Sequence, residues 1–168
     1  LVALSAQVNE FANPLLARTG GDGSFDILGD SVTLDFGTLA QNSGSFTALL
    51  ALSNNISGSA DDLRFEFSGS SSNFGVNGFG AATLAAGDAH NLSVVLDTLV
   101  SGNFQDVFTL NLFSTNASGF DLQIGSLSVT LKGVVTPAAV PVPGAVWMLG
   151  SALAGLAGMR RRKVRGQI

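Results

Sequence analysis

The stretch Ser126-Leu-Ser-Val-Thr-Leu131 decides the fold, because polar and apolar residues alternate strictly along it. Successive side chains of a β-strand point to opposite faces, so Leu127, Val129 and Leu131 would share one face. A strand of this kind buries one face and leaves the other in water, which is typical of antiparallel sheets. The stretch therefore predicts a half-buried β-strand.

Four further runs repeat this pattern earlier in the chain. Their apolar members are Val32, Leu34 and Phe36; Leu63, Phe65 and Phe67; Leu92, Val94 and Leu96; and Phe108, Leu110 and Leu112. The run Thr47–Leu52 is apolar on both faces and predicts a central strand. About seven short strands without an amphipathic helix among them are typical of an immunoglobulin-like antiparallel β-sandwich. We therefore predict an all-β fold, with the sandwich over residues 25–135.

The connections between these runs are rich in Gly, Ser, Asn and Asp. Asn77-Gly78 predicts a tight turn, because this pair tolerates the positive φ of a type I′ turn. The run Ser68-Gly-Ser-Ser-Ser-Asn73 predicts a flexible loop by composition. A phosphate-binding loop is not predicted, because no strand-to-helix junction accompanies the glycines Gly75, Gly78 and Gly80.

Four stretches of the body carry a resemblance to a known family. They are Leu34–Leu39, Ser45–Ser53, Asn73–Gly80 and Thr83–Asp88. In this order they resemble the immunoglobulin-like choice-of-anchor domains, part of the wider ASPM/SPD/Hydin group of sandwiches. Ala86 stands where these domains commonly have Pro. The resemblance implies a structural or adhesive module without a catalytic site.

A charge-free stretch from Gly133 to Met159 is followed at once by a basic cluster, which consists of Arg160, Arg161, Arg162, Lys163 and Arg165. About 20 apolar helical residues cross the hydrocarbon core of a bilayer. We therefore predict one C-terminal transmembrane helix over about 144–159 and a basic tail over 160–165, within a segment 136–168. Basic residues favour the cytoplasmic side, so the body would lie outside the cytoplasm. A plain one-span anchor and a buried helix of a soluble fold are the alternatives.

The same segment resembles a sorting signal. The matching residues are Val140, Pro141, Val142, Pro143, Trp147, Gly150, Gly155, Arg160, Arg161, Arg162 and Lys163. As an ordered set they resemble the PEP-CTERM signal of Gram-negative bacteria, although Val142 replaces the usual Glu between the two prolines. The resemblance implies processing by an exosortase, an integral membrane cysteine transpeptidase. The chain would reside transiently in the inner membrane, and its body would then reach the cell surface or the extracellular space.

Composition supports an envelope or secreted destination and argues against nucleic-acid binding. With the five tail residues set aside, three basic residues remain against twelve acidic ones, a net charge near −9. A basic footprint for DNA or RNA is therefore missing from the body. Cysteine is absent, which excludes disulfides and thiolate chemistry. The small and apolar residues Leu1–Ala6 are interpreted as the end of a secretion signal within an N-terminal segment 1–24.

Several residues suggest enzyme or metal chemistry, and each has a simpler interpretation. Asp35-Phe36-Gly37 matches a kinase triplet, but no glycine-rich loop, catalytic loop or strand lysine accompanies it. The single histidine, His90, could act as a catalytic base, but the sequence has no Gly-x-Ser-x-Gly motif to supply the nucleophilic serine. Candidate calcium ligands are Asp22, Asp26 and Asp30, yet their spacing differs from that of an EF-hand and favours turns. We predict no catalytic, cofactor-binding or metal-binding residue.

The sequence as a whole predicts a non-enzymatic surface or biofilm-matrix protein that an exosortase sorts and processes. Extracellular polysaccharide is a further expected partner. The alternative is a carbohydrate-binding or adhesive module anchored permanently by a single membrane span. Sugar stacking is disfavoured, because the body has neither Tyr nor Trp and most of its Phe residues occupy inward positions of the predicted strands. A secreted hydrolase is the third possibility, but no acid, base or nucleophile constellation supports it.

Overall fold

The computed structural model describes residues 8–138 and 144–163. The chain divides into two compact units, Leu1–Pro137 and Ala138–Ile168. The proposed secretion-signal remnant Leu1–Ala6 lies outside the described residues. The same holds for part of the predicted sorting signal, namely Val140, Pro141, Val142 and Pro143.

The first unit is built from strands. In chain order they are β1 (Pro14–Gly21), β2 (Ser24–Leu28), β3 (Ser31–Ala40), β4 (Ser45–Asn54), β5 (Asp62–Ser68), β6 (Gly75–Asn77), β7 (Ala81–Leu84), β8 (Ala89–Asp97), β9 (Gly102–Thr115) and β10 (Asp121–Thr136). A four-stranded sheet has the order β1-β4-β8-β6, and a six-stranded sheet has the order β2-β3-β10-β9-β5-β7. The prediction of an all-β sandwich is confirmed.

The core lies between the two sheets and follows the alternating pattern of the sequence. Leu34, Phe65, Leu110 and Leu131 from the six-stranded sheet are fully buried, as is Val94 from the four-stranded sheet. Full burial of an aliphatic or phenyl side chain contributes roughly 1.5–3 kcal/mol. The alternating residues therefore supply most of the favourable free energy of this unit.

The central position predicted for the run Thr47–Leu52 is confirmed. These residues lie in β4, which pairs with β1 on one side and β8 on the other. Ala48, Leu50 and Leu52 are buried in the core, whereas Leu49 on the outer face is 44% exposed. The run is apolar on both faces because the inner face is core and the outer face is only partly solvated.

One strand pairing departs from the predicted antiparallel sandwich. β3 and β10 run parallel, with Val32 opposite Val129 and Leu34 opposite Leu131. The register shifts beyond Lys132, where Gly37 adopts a positive φ of 69°. Alternation indicates which face of a strand is buried, but not whether the strand runs parallel or antiparallel to its neighbour. The sequence pattern therefore could not predict this parallel pair.

The sandwich also begins earlier than residue 25. β1 occupies Pro14–Gly21, within the segment that was expected to be a linker, and Leu16 from it is buried in the core. Its pattern is short and interrupted, because a register shift separates Arg18 from Gly20. The strand therefore left too weak a periodic signal to be recognised.

The chain bends at Gly78, but the bend is not the predicted type I′ turn and closes no hairpin, because Asn77 ends β6 and has no positive φ. β6 pairs with β8 in the four-stranded sheet, and β7 pairs with β5 in the six-stranded sheet. Gly78 has a φ of 82°, a conformation that L side chains rarely adopt. The turn therefore carries the chain from one sheet to the other.

The second unit contains one helix, α1 (Gly144–Lys163). Its apolar part ends at Met159, before the basic residues Arg160–Lys163, and is shorter than the ~20 residues that cross a bilayer core. Gly and Ala make up much of that part and lower its hydropathy. Within the described residues, no helix is long and apolar enough to span a membrane. This finding corrects the prediction of a transmembrane helix over 144–159.

Candidate functional site

The residues of the predicted sorting signal that the structure describes all lie on α1. Trp147, Gly150 and Gly155 are exposed there, and Arg160, Arg161, Arg162 and Lys163 form its last turn. The structure places these positions on one continuous helix.

Asp35, the acidic member of the kinase-like triplet, supports the backbone of β3. Its Oδ1 accepts a hydrogen bond from the backbone N–H of Gly37 over 2.7 Å. Its Oδ2 lies 3.3 Å from Nζ of Lys132 on the neighbouring strand β10. The triplet therefore holds the bulge at the parallel strand pair together.

His90 packs into the first unit as a structural residue. Its Nε2 lies 3.0 Å from the carbonyl oxygen of Gly78, and its ring centroid lies 5.1 Å from that of Phe65. The imidazole thus braces the turn between the two sheets. Its hydrogen bond goes to a backbone carbonyl.

The three candidate calcium ligands are not brought together as a metal site. Asp22 pairs with Thr47: its backbone N–H donates to the Thr47 carbonyl over 2.7 Å, and its Oδ2 accepts from the Thr47 N–H over 2.9 Å. Asp26 lies within β2, and Asp30 lies in the turn that follows. Across residues 8–138 and 144–163, no group of three or more His, Cys, Asp or Glu side chains is placed to hold a metal ion.

The most distinctive site lies at one end of the sandwich and was not predicted from sequence. The segment before β1, the residue before β5 and the turn between β9 and β10 meet there around a cleft of about 350 Å³. Its lining residues are Asn9, Phe11, Asp61, Asn116, Ala117, Ser118 and Phe120. We call this the end cleft.

Asp61 forms the floor of the end cleft and is only 2% exposed. Its Oδ1 accepts hydrogen bonds from Nδ2 of Asn116 at 2.9 Å and Nδ2 of Asn9 at 3.1 Å. Its Oδ2 accepts from Oγ of Ser114 at 3.0 Å. The hydrogen bond from Asn116 lowers the pKa of Asp61, and those from Asn9 and Ser114 add to this against the opposing effect of burial. The carboxyl group is therefore an ionised acceptor at neutral pH.

The charge of Asp61 is balanced by hydrogen bonds. Within residues 8–138, no Lys or Arg forms an ion pair with it; Arg64, the nearest in sequence, pairs with Glu66 and Asp121. Asn116 is itself held by Ser118, whose N–H donates to its Oδ1 over 3.0 Å. The amide donors are therefore fixed in position around a negative centre.

A fully buried asparagine supports the floor from behind. Asn54, the last residue of β4, donates through Nδ2 to the carbonyl of Asp61 at 3.0 Å and to that of Leu84 at 3.4 Å. Its Oδ1 accepts from the N–H of Asn13 at 2.9 Å. One side chain thus ties the four-stranded sheet to the entry of β5 and the end of β7.

The rim of the end cleft carries two exposed aromatic rings. Phe11 is 57% exposed and Phe120 is 36% exposed. Their ring centroids lie 5.8 Å apart with an angle of 4° between the ring planes. Exposed Phe is unusual beside a polar floor, and such a combination is typical of binding sites.

A second buried carboxylate corrects the prediction of a flexible loop over Ser68–Asn73. Asp106, on β9, accepts hydrogen bonds at Oδ2 from Ser71 Oγ at 2.6 Å and from the Asn73 N–H at 3.0 Å. Its Oδ1 accepts from Asn73 Nδ2 at 2.7 Å. Burial raises the pKa of Asp106, but the hydrogen bonds from Ser71, Ser72 and Asn73 outweigh it and lower the pKa. The serine-rich loop is thus fastened to the sheet.

We expect acid to destabilise the first unit through these two carboxylates. Their pKa values in the folded chain lie below the unfolded value near 3.8, so the unfolded chain takes up protons first. The stability they contribute is complete above the unfolded pKa and is lost as the pH falls through the folded pKa. Urea unfolding at neutral pH and at about pH 3 measures this loss.

The variants Asp61→Asn and Asp106→Asn should each show a smaller loss of stability between the two pH values than the parent chain. Asp26→Asn is the matched control, since Asp26 is exposed on the edge strand β2. If all three variants kept the pH dependence of the parent chain, other groups would account for the acid sensitivity.

Comparisons with known proteins bear on the fold. No family model matches the chain, and no curated protein matches it in sequence. PapD-like domain 7 of human CEP192 is similar over 83% of this chain and 96% of that chain, with a TM-score of 0.52 and 10% identity. AggA, the major subunit of aggregative adherence fimbriae type I from Escherichia coli, matches over 79% and 100%, with a TM-score of 0.47 and 11% identity. The likeness to the PapD-like domain confirms an immunoglobulin-like sandwich.

Proposed function

We propose that this chain is a non-enzymatic exported protein of the cell surface or extracellular matrix, processed at its C-terminal segment by an exosortase. The observation that carries the proposal is the ordered set of Pro141, Pro143, Trp147 and the basic run Arg160–Lys163 directly after an immunoglobulin-like sandwich. Exosortase recognition would act on this segment. The catalytic residues would belong to the exosortase, and this chain would be its substrate.

The state of the polar groups in the first unit supports a non-enzymatic role. The carboxylates of Asp61 and Asp106 accept hydrogen bonds from neighbouring side chains, and the His90 ring contacts the backbone carbonyl of Gly78. A general base must be able to reach a substrate proton, and a nucleophile needs an adjacent base. Asp61 and Asp106 each contact a serine hydroxyl, but Ser114 Oγ also accepts a hydrogen bond from the N–H of Ala12, and Ser71 Oγ also bonds to the backbone of Phe74. These hydroxyls are therefore held by the fold and not presented to a substrate. A net charge near −9 on the body also favours solubility in a crowded envelope.

The decisive experiment compares the intact mass and the location of the full chain in its host with and without the exosortase gene. We expect a shortened product that ends near Pro141–Pro143 and lies outside the inner membrane only when the enzyme is present. The double variant Pro141→Ala/Pro143→Ala should block the shortening. Pro137→Ala, which changes a nearby proline outside the signal, is the matched control.

A full-length chain in both strains would contradict processing. Equal shortening in both strains would point to an unrelated protease. Loss of processing in Pro137→Ala as well as in the double variant would show that the assay responds to any local change of backbone.

A further inference from the structure

We propose that the end cleft binds a neutral hexose polysaccharide, with the ring pair of Phe11 and Phe120 as the apolar contact and the floor around Asp61 as the polar contact. This inference rests on the proposed function in one respect, because an exported location is what brings the site into contact with such polymers. The site is separate from the C-terminal segment that carries the processing proposal.

The ring pair offers the surface that a sugar ring requires. One face of a pyranose carries mainly C–H groups, and these pack favourably against an aromatic face. Phe11 lies before the first strand and is 57% exposed, whereas each Phe within a strand is at least partly buried. An exposed ring forfeits part of the ~25 cal/mol per Å² that burial would contribute, so a partner that covers it gains this free energy. Within residues 8–138, the segment before β1 thus presents a ring that stacks on Phe120 and remains more than half exposed.

The polar floor presents hydrogen-bond acceptors. A carboxylate has about four lone-pair sites, and the Asp61 carboxylate receives three hydrogen bonds, from Asn9, Asn116 and Ser114. In addition, Oδ1 of Asn9 is buried and has no hydrogen-bond partner among residues 8–138. The orientation of this amide is fixed, since turning it over would bring its oxygen against the Asp61 carboxylate. The acceptor site that remains on the Asp61 carboxylate, at the floor of the end cleft, fits an O–H donor of a sugar, whereas the covered Oδ1 of Asn9 would become available only if its amide moved.

Charge selects between classes of polysaccharide. The floor is an ionised carboxylate without a cationic partner among the described residues, and the exposed Glu10 lies between Asn9 and Phe11 in the chain. The body as a whole is strongly acidic. A uronate polymer would bring like charges together, whereas a neutral hexose polymer would not. The end cleft should therefore favour cellulose-like or chitin-like chains over acidic ones.

The test is isothermal titration calorimetry on the full chain with cellohexaose, chitohexaose and an acidic hexaguluronate. We expect at least one neutral oligomer to bind and the acidic oligomer not to bind. Phe11→Ala should weaken binding of the neutral oligomer at least tenfold, and Phe120→Ala should also weaken it. The control is Leu99→Ala, because Leu99 is 68% exposed near the opposite end of β9 and its loss should leave binding unchanged.

Three outcomes would overturn the inference: no binding of either neutral oligomer, tighter binding of hexaguluronate, or equal binding by Phe11→Ala and the parent chain. Sedimentation of the same proteins identifies one competing role. If the parent chain self-associates and Phe11→Ala does not, the ring pair is a protein interface. Binding by the purified chain does not depend on exosortase, so a failure of processing and a failure of sugar binding are separate results.

Discussion

We expect Asn54→Ala to lower the free energy of unfolding of the first unit by about 2–4 kcal/mol. Asn54 is fully buried, and its side chain connects three backbone groups, those of Asn13, Asp61 and Leu84. Alanine removes the connecting amide and leaves these groups without their partner. A buried polar group left unpaired costs roughly 1–3 kcal/mol. The cavity left by the missing amide adds to this cost, because the surrounding residues relax only partly into it.

Urea unfolding at neutral pH measures this effect, with Asn55→Ala as the matched control. Asn55 is exposed, and its contact with the Asn13 side chain goes through its backbone carbonyl, which alanine retains. We expect the control to lie within about 0.5 kcal/mol of the parent chain. Equal stability of the two variants would mean that Asn54 does not fasten the sheets.

The effect should extend to the end cleft. Asn54 holds the carbonyl of Asp61, and the Asp61 carboxylate in turn organises Asn9, Asn116 and Ser114. Loss of the support would loosen the floor before it unfolded the sandwich. Amide hydrogen exchange should therefore rise first around the turn between β9 and β10 in Asn54→Ala.

The fold was largely predictable because its signal is local. Alternation around Leu110 and Leu131, and less cleanly around Val94, indicates from neighbouring residues alone which face of each strand is buried. The parallel pairing of β3 with β10 depends instead on contacts between residues about a hundred positions apart. A local pattern carries no information about such partners, so the direction of pairing was missed.

The end cleft was not predictable for the same reason. Asn9, Ser114 and Asn116 lie 52 to 55 positions from Asp61 and form no motif in the sequence. The sequence did hold one weak signal: Phe11 falls outside every alternating run, so its position in the chain gave no reason to expect burial. The predicted inward placement holds for most Phe residues because they lie in strands. Phe11 lies outside the strands, so the prediction does not apply to it.

The Ser68–Asn73 loop illustrates how composition misleads. Small polar residues suggest flexibility when they are solvated, but the same residues are good donors when a buried acceptor faces them. Asp106 is that acceptor, and it lies more than thirty positions away in β9. Flexibility is therefore a property of the loop together with its surroundings.

We expect Gly21→Ala to destabilise the first unit by about 3 kcal/mol or more, because the new Cβ has no space. Gly21 ends β1 at the point where the chain leaves the four-stranded sheet, and it has a φ of 78°. A Cβ there would lie 2.1 Å from the carbonyl oxygen of Thr47 and 3.0 Å from Cα of Ala48. Both are backbone atoms of the central strand β4, so the neighbour cannot move aside as a flexible side chain would.

Gly29→Ala separates the clash from the backbone conformation. Gly29 also has a positive φ, 58°, but a Cβ there would meet nothing within 4 Å. This control should lose only about 1–2 kcal/mol, the ordinary penalty of a left-handed conformation for alanine. Thermal or urea unfolding of the two variants measures the difference, which is the contribution of the close approach to β4. Equal losses would show that the crossing from β1 to β2 has room for a side chain, and β1 would then be packed less tightly against β4 than the distances indicate.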